Sequence, residues 1–256
     1  MKNLINWKLF FILLAACVIT SFMVLPYSLS LVSSEIEITM KLMLLAFLQS
    51  LVMFAVMIFL GLLLSKQTGM GLPFLQGLLE GKPHTVKFRS ILLPSMGWGI
   101  LAGLLIVLLM IPFNKLIPEL QTSETSIAAW KSILASFYGG IAEEVLLRLF
   151  IVSLLVWITF KIKKTKEGLP PVWGVWTAII LASVIFGIGH LPATSLIVPL
   201  TWLVITRAIV LNGIGGIIFG WLYWKKGLES AIIAHFCADI VLHVLTPILV
   251  RMFNIA

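Results

Sequence analysis

The chain has 256 residues, 61% of them hydrophobic and only 11% charged, with a mean hydropathy of +1.13. A soluble domain averages about 45–50% apolar and about 25% charged residues, and such a surplus could not be buried in one soluble core without large exposed apolar patches. Composition therefore excludes a soluble enzyme, a secreted disulfide scaffold and a disordered protein, and points to an all-α polytopic membrane helix bundle. The net charge of +8 does not imply nucleic acid, because lysine and arginine accumulate in the cytoplasmic loops of membrane proteins. The two cysteines, Cys17 and Cys237, both sit in apolar runs, which suggests neither a disulfide framework nor a zinc knuckle.

A bilayer core about 30 Å thick needs about 20 mostly apolar residues per spanning helix. Seven stretches qualify: about 9–32, 42–64, 91–111, 127–160, 172–190, 200–224 and 229–250. In the first, Leu14-Ala15-Ala16-Cys17 resembles a lipoprotein lipobox, but the apolar run continues to Leu25, so an ordinary first span is expected. The fourth is too long for one untilted span and too short for two. Gly139 and Gly140 interrupt it, which predicts an interfacial or oblique lead-in followed by the spanning part. Pro192 and Pro199 break the pattern before the sixth, so 191–224 holds either one helix or a re-entrant piece plus a helix. Seven or eight spans result. No internal repeat is visible. Residues 1–126 form a three-span region without motifs and 127–250 a motif-bearing core, in one integrated membrane domain.

Basic residues give the orientation. Lys2 and Lys8, then Lys66, Lys82, Lys87 and Arg89, then Lys161, Lys163, Lys164 and Lys166, then Lys225 and Lys226 all fall in alternate loops, twelve of the eighteen. The opposite loops carry Lys41, Lys115 and Arg251 beside Glu35, Glu37, Glu119 and Glu124. The positive-inside rule places the N-terminus in the cytoplasm, and a multi-pass protein of the cell membrane is expected.

Ionisable groups within spans are costly and usually mark function. Here they are Lys131, Glu143, Glu144, Arg148, Arg207 and Asp239, joined by His190, His235 and His243. Lys131 is close enough to an interface to snorkel. Arg207 reads equally as a packing or a headgroup residue. Glu144 and Arg148 are four apart and share a helical face, so they can pair. Glu143 is turned about 100° away, has Leu147 four residues on, and so is a carboxylate without a local partner, a candidate general base. Both glutamates read alternatively as packing or proton-path groups. Phe186 and His190 are four apart at the end of the fifth span, and His235 and Asp239 share a face of the last. A single membrane histidine is often only an interhelical hydrogen bond. Three helices each bringing ionisable groups inward are harder to explain by packing. His243 extends the His235 face and reads as packing or support. Cys237 lies about 200° around the helix from His235, which excludes a cysteine–histidine dyad between them.

Glu143-Glu144-x-x-x-Arg148, Phe186-x-x-x-His190 and His235-x-x-x-Asp239 resemble the EExxxR, FxxxH and HxxxN/D motifs of the CPBP family. That family comprises the CAAX prenyl endopeptidases of the Rce1 type and their bacterial relatives, also called ABI or bacteriocin-processing proteins. The resemblance covers about residues 127–250 and extends to Gly220-Trp221-Leu222-Tyr223 and Gly227-Leu228-Glu229-Ser230. It implies a glutamate-dependent intramembrane endopeptidase acting on peptides or membrane-protein segments. In that scheme Glu143 activates water, His190 assists, and His235 and Asp239 orient and stabilise the oxyanion. Glu144 and Arg148 hold the helix geometry as an ion pair, with Phe186 in support. Prenyl endopeptidases have Asn where this chain has Asp239. An ionised aspartate would repel an oxyanion, so Asp239 is either protonated or used differently. Pairing with His235 would make it an orienter that favours imidazolium and leaves His235 as the donor. The bacterial branch fits this departure.

No cofactor is implied. Zinc could use Glu143, His190, His235 and Asp239, but no HExxH spacing is present and the ligands come from distant helices. The expected partners are the substrate and the lipid bilayer, with no nucleic acid. Rivals are a non-catalytic membrane protein for bacteriocin self-immunity or sensor scaffolding, and a transporter, for which an inverted repeat is missing. Depth adds a constraint: Glu143 and His190 lie roughly 21–26 Å along their helices from the basic loops, and His235 roughly 9 Å. Either the fourth and fifth helices extend beyond the bilayer or the last begins inside it. A water-accessible cavity in the cytoplasmic half is expected.

Overall fold

The computed structural model describes residues 5–31, 39–82, 87–120 and 126–253. Within them seven helices are long and apolar enough to cross a membrane: α1 (Trp7–Leu31), α2 (Met40–Thr68), α3 (Phe88–Leu116), α4 (Ala129–Ile162), α5 (Val172–Thr194), α6 (Trp202–Lys226) and α7 (Leu228–Phe253). The described residues contain no β-strand. The protein is a multi-pass membrane helix bundle. Of the charges used for orientation, Lys2, Glu35, Glu37 and Glu124 lie outside the described residues.

The choice between seven and eight spans resolves to seven. α5 runs on through a short turn of helix, Leu191–Thr194, with Pro192 in its first turn, where the missing N–H costs nothing. The chain then loops to α6, whose N-cap Thr201 accepts from the Val204 N–H at 3.4 Å. No re-entrant element intervenes. Cys17, the last residue of the lipobox-like run, sits fully buried inside α1.

Gly139 and Gly140 do not break α4 either. The helix is continuous over 34 residues, about 50 Å at 1.5 Å per residue, and is wound as π-helix over Gly139–Glu143 and again over Val145–Val152. The glycines are a notch. A Cβ on Gly140 would stand 3.1 Å from both the Ile232 carbonyl oxygen and the Phe236 Cβ. Small residues let membrane helices approach this closely, and the expected interruption is thus the place where α4 and α7 touch.

The first half of α7 packs against α3, α4 and α6, while α5 lies along α6 and α2 along α4. The buried core draws residues from all seven helices, among them Phe54 of α2, Ala102 of α3, Leu149 of α4, Ile179 of α5, Leu222 of α6 and Ala231 of α7. The connection after α2 carries a short helix, Pro73–Leu79, that closes over the start of α7. There the Leu228 N–H donates to the Gly71 carbonyl at 2.8 Å, the Leu75 N–H donates to Glu229 Oε1 at 2.9 Å, and Leu72 and Leu228 are buried. The last helix therefore begins beneath a cover, and His235, early in α7, comes level with Glu143 in the middle of α4.

Candidate active site

His235 is the centre of the ionisable cluster. Its Nδ1 lies 2.7 Å from Glu144 Oε1, and a carboxylate can only accept, so Nδ1 is the donor. Nε2 is then turned to Glu143 Oε2 at 3.8 Å and to Asp239 Oδ1 at 3.6 Å, both beyond direct hydrogen-bond distance. The ring is clamped edge and face. Phe219 stacks on it with centroids 4.7 Å apart and planes at 21°, and Phe186 meets it edge-on at 5.6 Å.

Beneath this layer Glu144 also pairs with Arg148, Oε2 to Nε at 3.2 Å. Arg148 donates from a terminal nitrogen to the Gly216 carbonyl at 3.3 Å and lies over the faces of Phe186 and Phe219, at 5.3 and 5.6 Å. Both charged residues are fully enclosed, with relative exposures of 0% for Glu144 and 1% for Arg148. A carboxylate and a guanidinium so far from water persist only as a paired, hydrogen-bonded unit. The unit links α4 to α6 and, through His235, to α7.

Glu143 and Asp239 are different: their side chains keep 22% and 13% of their exposure. Both line a cavity of about 420 Å³ together with His190, His235, Tyr138 and Arg207. His190 stands at the C-terminal end of α5, its Nδ1 2.9 Å from the Phe186 carbonyl. A carbonyl only accepts, so Nδ1 carries the proton and Nε2 is left for the cavity. Phe186 packs edge-on against His190 at 4.7 Å and so touches both histidines and Arg148.

The sequence of the family described as Type II CAAX prenyl endopeptidase Rce1-like is matched by residues 125–241. Over those residues the chain is similar to that family. No curated protein and no solved structure matches the chain.

The Rce1-like segment contains Glu143, Glu144, Arg148, Phe186, His190, His235 and Asp239, and the fold brings all seven around one end of the cavity or the layer beneath it. His243 also lines the cavity and meets Tyr27 of α1 at 6.1 Å. Arg207, left open between packing and headgroup contact, is 9% exposed and faces the cavity as well. The carboxylate that holds His235 by Nδ1 is Glu144, whereas Asp239 lies on the Nε2 side. The orienting contact expected from Asp239 is thus made by Glu144. Phe219 and Gly139 belong to the site without having been singled out for it: Phe219 supports the His235 ring, and a Cβ on Gly139 would run into Asp239 and stand 3.3 Å from His235 Nε2. Only the close approach of the helices reveals either residue. Among the described residues no three His, Cys, Asp or Glu side chains are arranged to hold a metal ion.

The cavity does not lie toward the basic loops, as the depth argument expected. Its lining runs from Glu143 and Phe219 to Leu31, Leu120 and Ile197, at the end of the bundle where α1, α3 and α5 finish. The roughly 9 Å path from Glu229 to His235 is filled by core, because α7 starts under the 71–79 cover.

Proposed function

We propose that this Rce1-like chain is an intramembrane endopeptidase that hydrolyses peptide bonds with water activated by Glu143. The observation that carries this is the pair of partly accessible carboxylates, Glu143 and Asp239, on the Nε2 side of an imidazole whose other nitrogen is held by Glu144. At 3.6–3.8 Å neither carboxylate makes a direct hydrogen bond to Nε2, which leaves both available to a water in the cavity. A peptide carbonyl entering the cavity meets that water near Glu143. Glu143 takes a proton as the water oxygen bonds to the carbonyl carbon. His235 is held by Glu144 at Nδ1 and protonated on both nitrogens between the carboxylates. It donates a hydrogen bond from Nε2–H to the oxygen of the tetrahedral intermediate and keeps that proton, with the Asp239 charge beside it. Collapse breaks the C–N bond, and the proton held by Glu143 passes to the leaving amine. His190 Nε2 assists at the water or at the amine. Glu144, Arg148 and Phe186 position His235 and touch no reacting atom. The scheme uses no metal or other cofactor.

The test is cleavage of a fluorogenic peptide library by purified protein in detergent or nanodiscs, wild type beside Glu143→Gln and His190→Ala, with and without a chelator. The expected result is cleavage lost in Glu143→Gln, reduced in His190→Ala and indifferent to chelator. Equal cleavage by wild type and Glu143→Gln would falsify the mechanism. Chelator-sensitive cleavage restored by zinc would replace it with a metal-dependent one. A folded protein that cleaves nothing, with a host phenotype unaltered by both substitutions, would favour the scaffold.

A further inference from the structure

The cavity and the basic loops occupy opposite ends of the bundle. At one end stand Lys8, Lys66, Lys82, Lys87 and Arg89, the four lysines at 161–166, and Lys225 and Lys226. At the other stand the finish of α1, α3 and α5 and the start of α4 and α6, with Lys41, Lys115 and Lys131. The cavity reaches only the second end. Tyr27 and Leu31 close α1 there, Thr194 and Ile197 follow His190, and Leu120 follows α3. Toward the basic end the floor is solid. Arg148, Leu149, Val152 and Val156 of α4 and Leu222 and Tyr223 of α6 are all buried, and the start of α7 is sealed by the Gly71–Leu228 and Leu75–Glu229 hydrogen bonds.

Basic loops stay in the cytoplasm. We infer that the cavity takes its peptide from the extracytoplasmic side of the membrane, so that the substrate is an extracytoplasmic segment of a secreted or membrane-anchored peptide rather than a cytoplasmic C-terminal tail. This rests on the endopeptidase reading and adds the side and class of its substrate. A volume of about 420 Å³ falls within the roughly 300–1,000 Å³ of small ligand sites, room for the few residues around one peptide bond in extended form and not for a folded domain. Glu143 and Asp239 lie at its inner end. A segment that reaches them from the mouth must thread in past His190 and Arg207, so an unstructured stretch next to a membrane anchor fits better than a tight loop.

Side and chemistry are measured separately. In a Cys17→Ala, Cys237→Ala background, Ala193→Cys at the mouth, or Ser195→Cys on the same connection should the first fold poorly, is compared with Glu167→Cys in the basic loop after α4. A membrane-impermeant maleimide is applied to intact cells and to inverted vesicles. The expected result is labelling of position 193 or 195 in intact cells and of position 167 only in inverted vesicles. The reverse pattern overturns the assignment of side and leaves the endopeptidase reading untouched. In the second arm an impermeant peptide that the purified protein cleaves is offered to right-side-out and inverted vesicles containing wild type or Glu143→Gln. Cleavage in right-side-out vesicles alone, lost in Glu143→Gln, supports the assignment, and cleavage in inverted vesicles alone overturns it. Cleavage unaffected by Glu143→Gln defeats the catalytic reading, and with it the substrate class, whatever the labelling shows.

Discussion

Arg148 is the residue on which the site's geometry depends most. It is 1% exposed, pairs with Glu144 at 3.2 Å, reaches the Gly216 carbonyl at 3.3 Å and lies over two phenyl rings. Truncating one partner of such a pair leaves the other charge buried and uncompensated, at a cost of about 3–5 kcal/mol. Arg148→Ala is therefore expected to lower thermal stability in detergent strongly and to abolish peptide cleavage, since Glu144 can no longer hold His235 in place. Arg148→Lys keeps the charge but not the planar fork or the stacking, and is expected to recover part of the stability and little of the activity. Glu144→Gln separates the roles. Its amide oxygen can still accept from His235 Nδ1, but Arg148 is left without its counter-charge, so a loss of stability comparable to that of Arg148→Ala with more residual activity is expected. Thermal unfolding and cleavage measured on the three variants decide this, and a stable, fully active Arg148→Ala protein would refute the positioning role. The Glu144–Arg148 contact is legible in the sequence because its partners are four residues apart on one helix. The contact of Glu144 with His235 is not, because 91 residues separate them and no local period records which of two adjacent carboxylates faces another helix. Phe219 was hidden for the same reason: it belongs to no spaced pair, and its value comes from stacking on His235 across the α6–α7 interface.

Between elements, the decisive approach is that of α4 to α7. A glycine pair lowers helix propensity by about 1 kcal/mol per residue relative to alanine, and that cost is why the sequence reads as an interruption. Inside a membrane bundle the missing side chain is instead what allows contact, and the π-helical turn at Gly139–Glu143 ends on the carboxylate that lines the cavity, Glu143. Such turns within α-helices are frequent at functional sites. The existence and order of the spans were readable from hydropathy. The continuity of α4 was not, because periodicity on a single chain holds no information about the neighbour that fills a notch. Gly139→Ala is expected to fold, since the added methyl meets side-chain atoms of Asp239 and His235 that can shift, but to lose most of its activity because those atoms are the ones displaced. Gly97→Ala, on α3 with nothing within 4 Å of the new Cβ, is the matched control and is expected to keep full activity with equal or slightly higher stability. Cleavage rates of the two variants, at equal folded fraction by size-exclusion profile, check this. Undiminished cleavage by Gly139→Ala would place the reacting carbonyl elsewhere.

At the scale of the whole molecule, the cavity that holds the ionisable cluster opens at one end of the bundle and has a floor of buried side chains toward the other. The start of α7 beyond that floor is held by local chain chemistry. The segment after α2 carries Pro73 and then backbone N–H groups at the start of a short helix, one of which finds its acceptor in Glu229 on α7. This explains how His235, nominally shallow by residue count from the basic loops, stands as deep as Glu143: the count assumes that every helix starts at the same level, whereas α7 starts below the 71–79 cover. A capping side chain is worth about 1 kcal/mol, so removing the Glu229 acceptor should raise the open population of the cover by roughly fivefold at that energy. Lys66 stands in the last turn of α2, directly before the segment, whereas Lys82 precedes Pro83 and is not cut by trypsin. Opening can therefore be read as tryptic nicking after Lys66 in detergent, where cleavage follows the population of the open form when closing is fast. Glu229→Ala is expected to be nicked several-fold faster than wild type, and Glu229→Gln, whose side-chain oxygen can still accept from Leu75, at a rate between the two. Peptide hydrolysis should fall in parallel with nicking, since His235 reaches Glu143 only while α7 is held beneath its cover. Nicking that rises while hydrolysis stays constant would show that the cover seals the floor without setting the depth of α7.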